Sequence, residues 1–213
     1  MKLIDDCLAG FKNRLLQLQA ENAVEGDADI AGELEETLAD FSLVSGASEA
    51  DLVRLKAAYP DCPEVLTELL RRVDGAYWRE CQGKEITLYL LGSDVGAWQY
   101  PCCLLSALQI LESAEENRGE SIRETYAEHL EDIEIDPRIA PDLTTGKRLH
   151  FSDCMNNGGA SQLFIDFNSR GKGKAGQIIR FLHDPDGYAV VADGFEDCLR
   201  LPMAHGYNFI RFY

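Results

Sequence analysis

No apolar run in this 213-residue sequence approaches the roughly 18–20 residues that a membrane-spanning helix needs. The opening residues, Met1-Lys2-Leu3-Ile4-Asp5-Asp6, place acids where a secretion signal needs a basic and then an apolar run. A cytoplasmic protein is the expectation. Cys-x-x-Cys is also absent. The seven cysteines are odd in number, and apart from the neighbours Cys102 and Cys103 they are scattered, so neither a disulfide framework nor a compact metal site is indicated. Buried thiols in a reducing compartment are expected, with a zinc site assembled from distant Cys and His as the alternative. Basic residues are scarce. Twenty Lys and Arg face 37 Asp and Glu, for a formal net charge of −17. That balance disfavours nucleic acid and anionic membranes as partners, because phosphates would be repelled. It favours basic proteins and fast, salt-sensitive association with them, solubility being the bland alternative.

With 46% apolar residues, the chain suits one globular domain, alone or with an appendage. A chain of this length buries about 70% of its unfolded surface and needs no covalent staple. Ile4, Leu8, Phe11, Leu15 and Leu18 recur at helical spacing, as do Ile30, Leu34, Leu38 and Phe41 after a polar break containing Gly26. Residues 1–45 are therefore read as a helical pair packed on a domain of residues 46–213. Ser48-Glu49-Ala50-Asp51 is a capping-box-like helix start, Pro63 suits the first turn of a second helix, and Gly75 suits its left-handed stop. Ala76–Trp78 and Ile86–Leu91 read as strands and Gly92–Gly96 as a loop. A long helix, or two, spans Ala107–Leu130 behind Ser106, with its register interrupted near Asn117–Gly119. Leu149–Cys154 reads as a strand, Met155–Ala160 as a turn, and Tyr207–Tyr213 as a last strand or an extended surface segment.

The stretch Ser161–Leu199 reads as three strands and a helix. Leu163, Ile165 and Phe167 alternate, Gln177–His183 and Tyr188–Ala192 are short apolar runs, and Asp184-Pro185-Asp186-Gly187 is a turn sequence. Asp193 followed by Glu196 resembles a helix capping box, with Phe195, Leu199 and Leu201 facing the sheet. Four short blocks, Asp166-Phe167-Asn168, Gly176-Gln177-Ile178-Ile179, His183-Asp184 and Ala192–Leu199, resemble the SUKH superfamily, as does the helix–Pro joint–helix–Asp74-Gly75 pattern upstream. The resemblance covers about Gly46–Leu201. Many relatives carry Asn where this chain has Asp74. The resemblance implies kinship with a fungal cell-wall-assembly regulator and with bacterial immunity proteins that neutralise secreted toxins.

Chemistry is harder to find. Gly171-Lys172-Gly173-Lys174-Ala175-Gly176 spells a dinucleotide-loop pattern, but it joins two expected strands and opens no helix. His150, Ser152 and Asp153 have triad residue types, yet neighbours in a strand point to opposite faces. Asp184 and Asp186 lack a calcium-loop pattern, and Asp166 reads as a sheet-edge acid. No catalytic constellation, metal site or cofactor is expected. Two features suit a binding surface instead. Glu116, Glu120, Glu124 and Glu128 repeat every four residues in the most acidic part of the chain. Like charges at that spacing cost a few tenths of a kcal/mol each, so a docking face for a basic partner competes with a merely solvated one. Tyr77, Trp78 and Trp98 stand next to loops, where aromatics anchor interfaces or simply fill a core. The fold expected is α+β, a mostly antiparallel sheet with helices packed around it and an N-terminal helical pair. The function expected is a non-enzymatic module that binds and occludes a basic toxin domain. A regulatory or scaffold protein without a toxin is the alternative.

Overall fold

The computed structural model describes residues 2–95, 98–116, 120–156, 159–183 and 185–211. The chain opens with two helices, α1 (Lys2–Glu25) and α2 (Ala28–Leu43), followed by α3 (Glu49–Ala58) and α4 (Glu64–Arg72). A small hairpin, β1 (Arg79–Cys81) and β2 (Lys84–Ile86), precedes β3 (Tyr89–Val95) and β4 (Trp98–Leu104). Then come α5 (Ala107–Glu116), α6 (Ile122–Tyr126) with a 3-10 turn at Ala127–Asp132, and the short β5 (Glu134–Ile135). Strands β6 (Leu149–Asn156), β7 (Gly159–Asp166), β8 (Gln177–Leu182) and β9 (Gly187–Ala192) form a meander that ends in α7 (Phe195–Ala204). The main sheet has seven strands in the order β3-β4-β6-β7-β8-β9-β5. All its pairings are antiparallel except β5 with β9. The architecture is α+β.

The period-two side-chain alternation of strands gives this sheet two unlike faces. The inner face carries Leu104, Leu149, Phe151, Leu163, Ile165 and Ile178 into the main core, where α7 lies on the sheet and α1 and α4 pack against α7. Phe151 meets Phe195 of α7 edge-on at 5.2 Å. A bulge between His150 and Ser152 shifts the alternation beyond Phe151, so that Asp153 rather than Ser152 stands opposite Gln162. The N-terminal pair shares the same core: Ile4, Cys7, Phe11, Leu15 and Leu34 are all buried in it, and Phe11 packs on Phe41 at 5.1 Å. Asp27 caps α2 by accepting from the Asp29 and Ile30 amides, which explains the break at Gly26. All seven cysteines are buried, and none is in a disulfide.

Several elements depart from the sequence reading. Ala76–Trp78 is irregular rather than a strand, and the expected loop at Gly92–Gly96 is strand as far as Val95, with Gly96 outside the described residues. The Met155–Ala160 turn shrinks because β6 and β7 extend into it. Asp193 is not a helix cap. Gly194 occupies the cap position of α7 without a side-chain bond, and Asp193 pairs with Lys174 instead. Of the expected last segment, residues 212 and 213 lie outside the described residues and 207–211 form no strand: Tyr207, Phe209 and Ile210 are buried, and the Tyr207 hydroxyl donates to the Cys7 carbonyl of α1 at 2.8 Å. Among the described residues, no helix is long and apolar enough to cross a membrane.

Candidate functional site

The outer face of the sheet is built differently from the inner one. One row, His150–Phe164–Ile179–Val190, pairs residue by residue across β6 to β9. Ile122 and Ile139 from the segment between β4 and β6 cover it, forming a second, smaller core. The adjacent row runs through every strand of the sheet: Tyr89, Cys103, Asp153, Gln162, Phe181, Tyr188 and Ile135 are successive cross-strand partners. Seven strands at about 4.8 Å spacing make this row about 29 Å long. Tyr89 is exposed, and Asp153, Gln162, Phe181, Tyr188 and Ile135 are half-buried.

Aromatic residues stand at both ends of the row. At one end lie Tyr89, Tyr77 and Trp78. The Tyr77 ring is half-buried and meets Trp78 edge-on at 6.5 Å. Burial first, and then the nearby Asp153 carboxylate, push the Tyr77 phenol above its ordinary pKa. Trp78 is 53% exposed and sits at φ +50°, a conformation that costs a bulky residue about 1–2 kcal/mol. Its amide donates to Thr87 Oγ1 at 3.3 Å, and the Tyr77 carbonyl accepts from Gln109 Nε2 at 2.7 Å, which fix the turn. Strain of this kind persists where surrounding structure enforces it, and it clusters at functional surfaces. At the other end, Phe181, Tyr188 and Tyr126 form a corner: Phe181 packs on Tyr188 at 4.9 Å, and Tyr126 meets Tyr188 edge-on at 6.4 Å. The Tyr126 hydroxyl donates to Asp186 at 2.6 Å, and burial together with that carboxylate pushes the Tyr126 phenol far up. A cleft of about 440 Å³ opens here, between α6 and strands β7 to β9.

The acidic residues do not form the single helical stripe their spacing suggests. Helix α5 ends at Glu116 and α6 begins at Ile122, so the four-residue rhythm spans two helices and a turn. The Glu116 side chain lies outside the described residues. Glu120 is exposed and lines the cleft, its carbonyl held by the amide and hydroxyl of Thr145, both at 3.0 Å. Glu124 is spent on a local task. It closes a capping box with Ser121, and the Ser121 amide and hydroxyl hold its carboxyl below the usual range. Glu128 lies exposed on the 3-10 turn. Trp98 opens β4 opposite Val95, and its side chain lies outside the described residues. The structure thus brings Tyr77 and Trp78 to one end of the outer row and Glu120 to the other. Tyr89, Tyr126, Phe181 and Tyr188 were missed, because the register that aligns them leaves no mark in sequence.

Two buried polar clusters behind this face are structural. Asp166 is no edge acid: it is wholly buried, 3.8 Å from Arg148 Nε, and accepts from the Asn168 amide and Gln177 Nε2, both at 3.1 Å. Arg148 donates to the carbonyls of Leu143 and Ala140, pinning the segment that covers the outer face. Elsewhere, Ser113 Oγ lies 2.8 Å from His150 Nδ1, while His150 Nε2 lies 3.0 Å from the Ser152 carbonyl. A carbonyl can only accept, so Nε2 carries the proton and Nδ1 accepts from Ser113. This resembles a nucleophile and base by distance alone. Ser113 sits within α5, whose interior amides are engaged in the helix and cannot form an oxyanion hole, and neither residue lines a described cleft. Among the described residues no group of His, Cys, Asp and Glu is arranged to hold a metal.

The fold is α+β, with a sheet whose inner face lies under helices and whose outer face carries aromatic residues at both ends of one row and acids near its rim. The chain belongs to the SMI1 / KNR4 family (SUKH-1), whose sequence model matches residues 46–201. That membership supports a protein-interaction or immunity-type module at the level of the family. The match includes the whole outer row and leaves out α1 and α2. No curated protein shows significant similarity to the chain.

Proposed function

We propose that this chain is a non-enzymatic binding module of the cytoplasm that docks a basic toxin domain on the outer face of its sheet and blocks it by occlusion. The observation that carries the reading is the outer row, with exposed Trp78 and Tyr89 at one end and the Phe181–Tyr188–Tyr126 corner at the other. A strip about 29 Å long matches the width of a standard interface of about 800 Å² per partner. Large, rigid aromatics supply most of the affinity at such surfaces. Steering comes from the net charge of −17 and from Glu116, Glu120 and Glu128, with Glu124 contributing charge while it caps α6. Residues 1–45 serve as a packed extension of a domain comprising residues 46–213, since α1 and α2 supply side chains to the common core. A regulatory scaffold role without a toxin is the second reading, favoured by the kinship with cell-wall-assembly regulators.

Affinity capture from the native host at low and high salt, with mass spectrometry of retained proteins, tests the proposal. One basic toxin domain, held at low salt, weakened by salt and lost with Trp78→Gly, is expected. Retention of several housekeeping proteins, indifferent to salt, would overturn occlusion of a toxin in favour of the scaffold.

A further inference from the structure

The cleft beside α6 has a composition unlike the rest of the outer face. Three aromatic rings form its wall: Phe181 and Tyr188 lie tilted at 32°, and Tyr126 stands edge-on to Tyr188 at 81°. Gln162, Phe164 and Ile179 line its sheet side. Its mouth is acidic. Glu120 projects from a backbone position fixed by Thr145, and among the described residues its carboxylate has no ion pair or hydrogen bond. Asp186 lies next to the Tyr126 ring wall, where it accepts from the Tyr126 hydroxyl and pairs with His183. Among the described residues lining the cleft the one cation, Arg148, is 2% exposed, opposed by the buried Asp166 carboxylate, and has its terminal nitrogens engaged by carbonyls. Among the described residues the lining therefore sets the Glu120 carboxylate beside aromatic faces, with the Arg148 charge turned to Asp166.

The geometry points to a receptor for an arginine side chain of the docked protein. A guanidinium is planar, weakly hydrated and permanently charged. It stacks on an aromatic face while its fork of donors reaches a carboxylate, which an ammonium does less well. About 440 Å³ admits that side chain with its aliphatic stem against Phe181 and Ile179. Phe181 and Tyr188 belong both to this cleft and to the outer row, so an arginine seated here emerges directly onto the proposed docking strip. The inference rests on the docking reading for the source of the arginine, not for the chemistry of the cleft.

Titration of the full-length protein, followed by amide NMR, separates the two. The probes are N-acetyl-arginine amide, its neutral isostere N-acetyl-citrulline amide, and inorganic phosphate. The arginine probe is expected to move the amides of residues 120–126, 179–181 and 188, with citrulline giving little response. Glu120→Gln, at an exposed position, should weaken binding about two- to fivefold, the effect of losing one partly exposed ion pair. Tyr126→Phe should retain binding and Tyr126→Leu should lose it, because the ring and not the hydroxyl is used. Equal shifts with citrulline, or movement of the same amides by phosphate through Arg148, would overturn the assignment. Arginine binding in the cleft without any protein partner would remove the docking reading and leave the cleft. A partner weakened by Tyr89→Ala but indifferent to Glu120→Gln would do the reverse.

Discussion

Replacing Arg148 by Met should be among the most damaging single changes available in this chain, and the reason lies in three contacts. The guanidinium is 2% exposed and faces an Asp166 carboxylate that is itself wholly buried. Burial lowers the guanidinium pKa from its ordinary value, with Asp166 pulling the other way. Methionine fills similar space but leaves Asp166 charged and uncompensated, and strips donors from the Ala140 and Leu143 carbonyls. Breaking a buried pair from one side costs about 3–5 kcal/mol. At a urea dependence of about 2 kcal/mol/M, that lowers the denaturation midpoint by about 1.5–2.5 M with an unchanged slope. Asp166→Asn keeps an acceptor for the Asn168 amide and should cost less. The double variant removes both charges, so its cost should fall short of the sum of the singles by about 1–3 kcal/mol. Urea denaturation of the four proteins closes the cycle. Additive costs, or an Arg148→Met penalty under about 1 kcal/mol, would show that the pair is not coupled and that Arg148 does not pin the segment over the outer face.

Other consequences follow from buried contacts. Burial holds His150 below its ordinary pKa, against the opposing pull of Asp153, so the unfolded chain takes up a proton below about pH 6.5 that the native state refuses. The stability from this site is whole above that pH and is lost as pH falls towards the depressed native value. Wild type should therefore lose more stability than His150→Gln between about pH 7.5 and 5.5 in urea melts, and parallel curves would refute this. A Cβ on Gly10 would lie 2.2 Å from the Tyr207 hydroxyl and 2.7 Å from its ring, so Gly10→Ala should cost about 1–3 kcal/mol despite alanine's better helix propensity. Thermal melting should show a fall of about 2–4 °C per kcal/mol, and a rise would mean that Tyr207 yields easily. Trp78→Gly relieves φ +50° at an exposed site, so stability should stay within about 1 kcal/mol of wild type while partner affinity falls at least about tenfold.

The meander and α7 were legible because local chemistry decided them. Alternation in Leu163 and Ile165, the Asp184-Pro185-Asp186-Gly187 turn and the three-glycine loop each specify their conformation within a few residues, and β7, β8 and β9 lie where they indicate. The helical pair was legible for the same reason. What sequence did not show depends on distant partners. Tyr207 and Phe209 alternate like a strand, yet they pack into the core because Cys7, two hundred positions earlier, offers a carbonyl. Asp166 looked peripheral because nothing in its neighbourhood reveals Arg148, which lies just ahead of the adjoining strand β6. The break near Asn117–Gly119 left one helix or two open, and α5 and α6 are two, the second started by the capping Ser121, which spacing alone does not mark. The outer row is the extreme case. Its seven members come from seven strands, and register alone aligns them.

The central claim is that the outer face of the sheet is the docking surface. Calorimetric titration of the captured partner against wild type, Tyr89→Ala, Phe181→Ala and Val53→Ala tests it most directly. Val53 is 67% exposed on α3 and lies outside the outer row. Losses of about tenfold or more for Tyr89→Ala and Phe181→Ala, with Val53→Ala unchanged, are predicted. Wild-type affinity in both outer-row variants would place the partner elsewhere on the molecule and contradict the account.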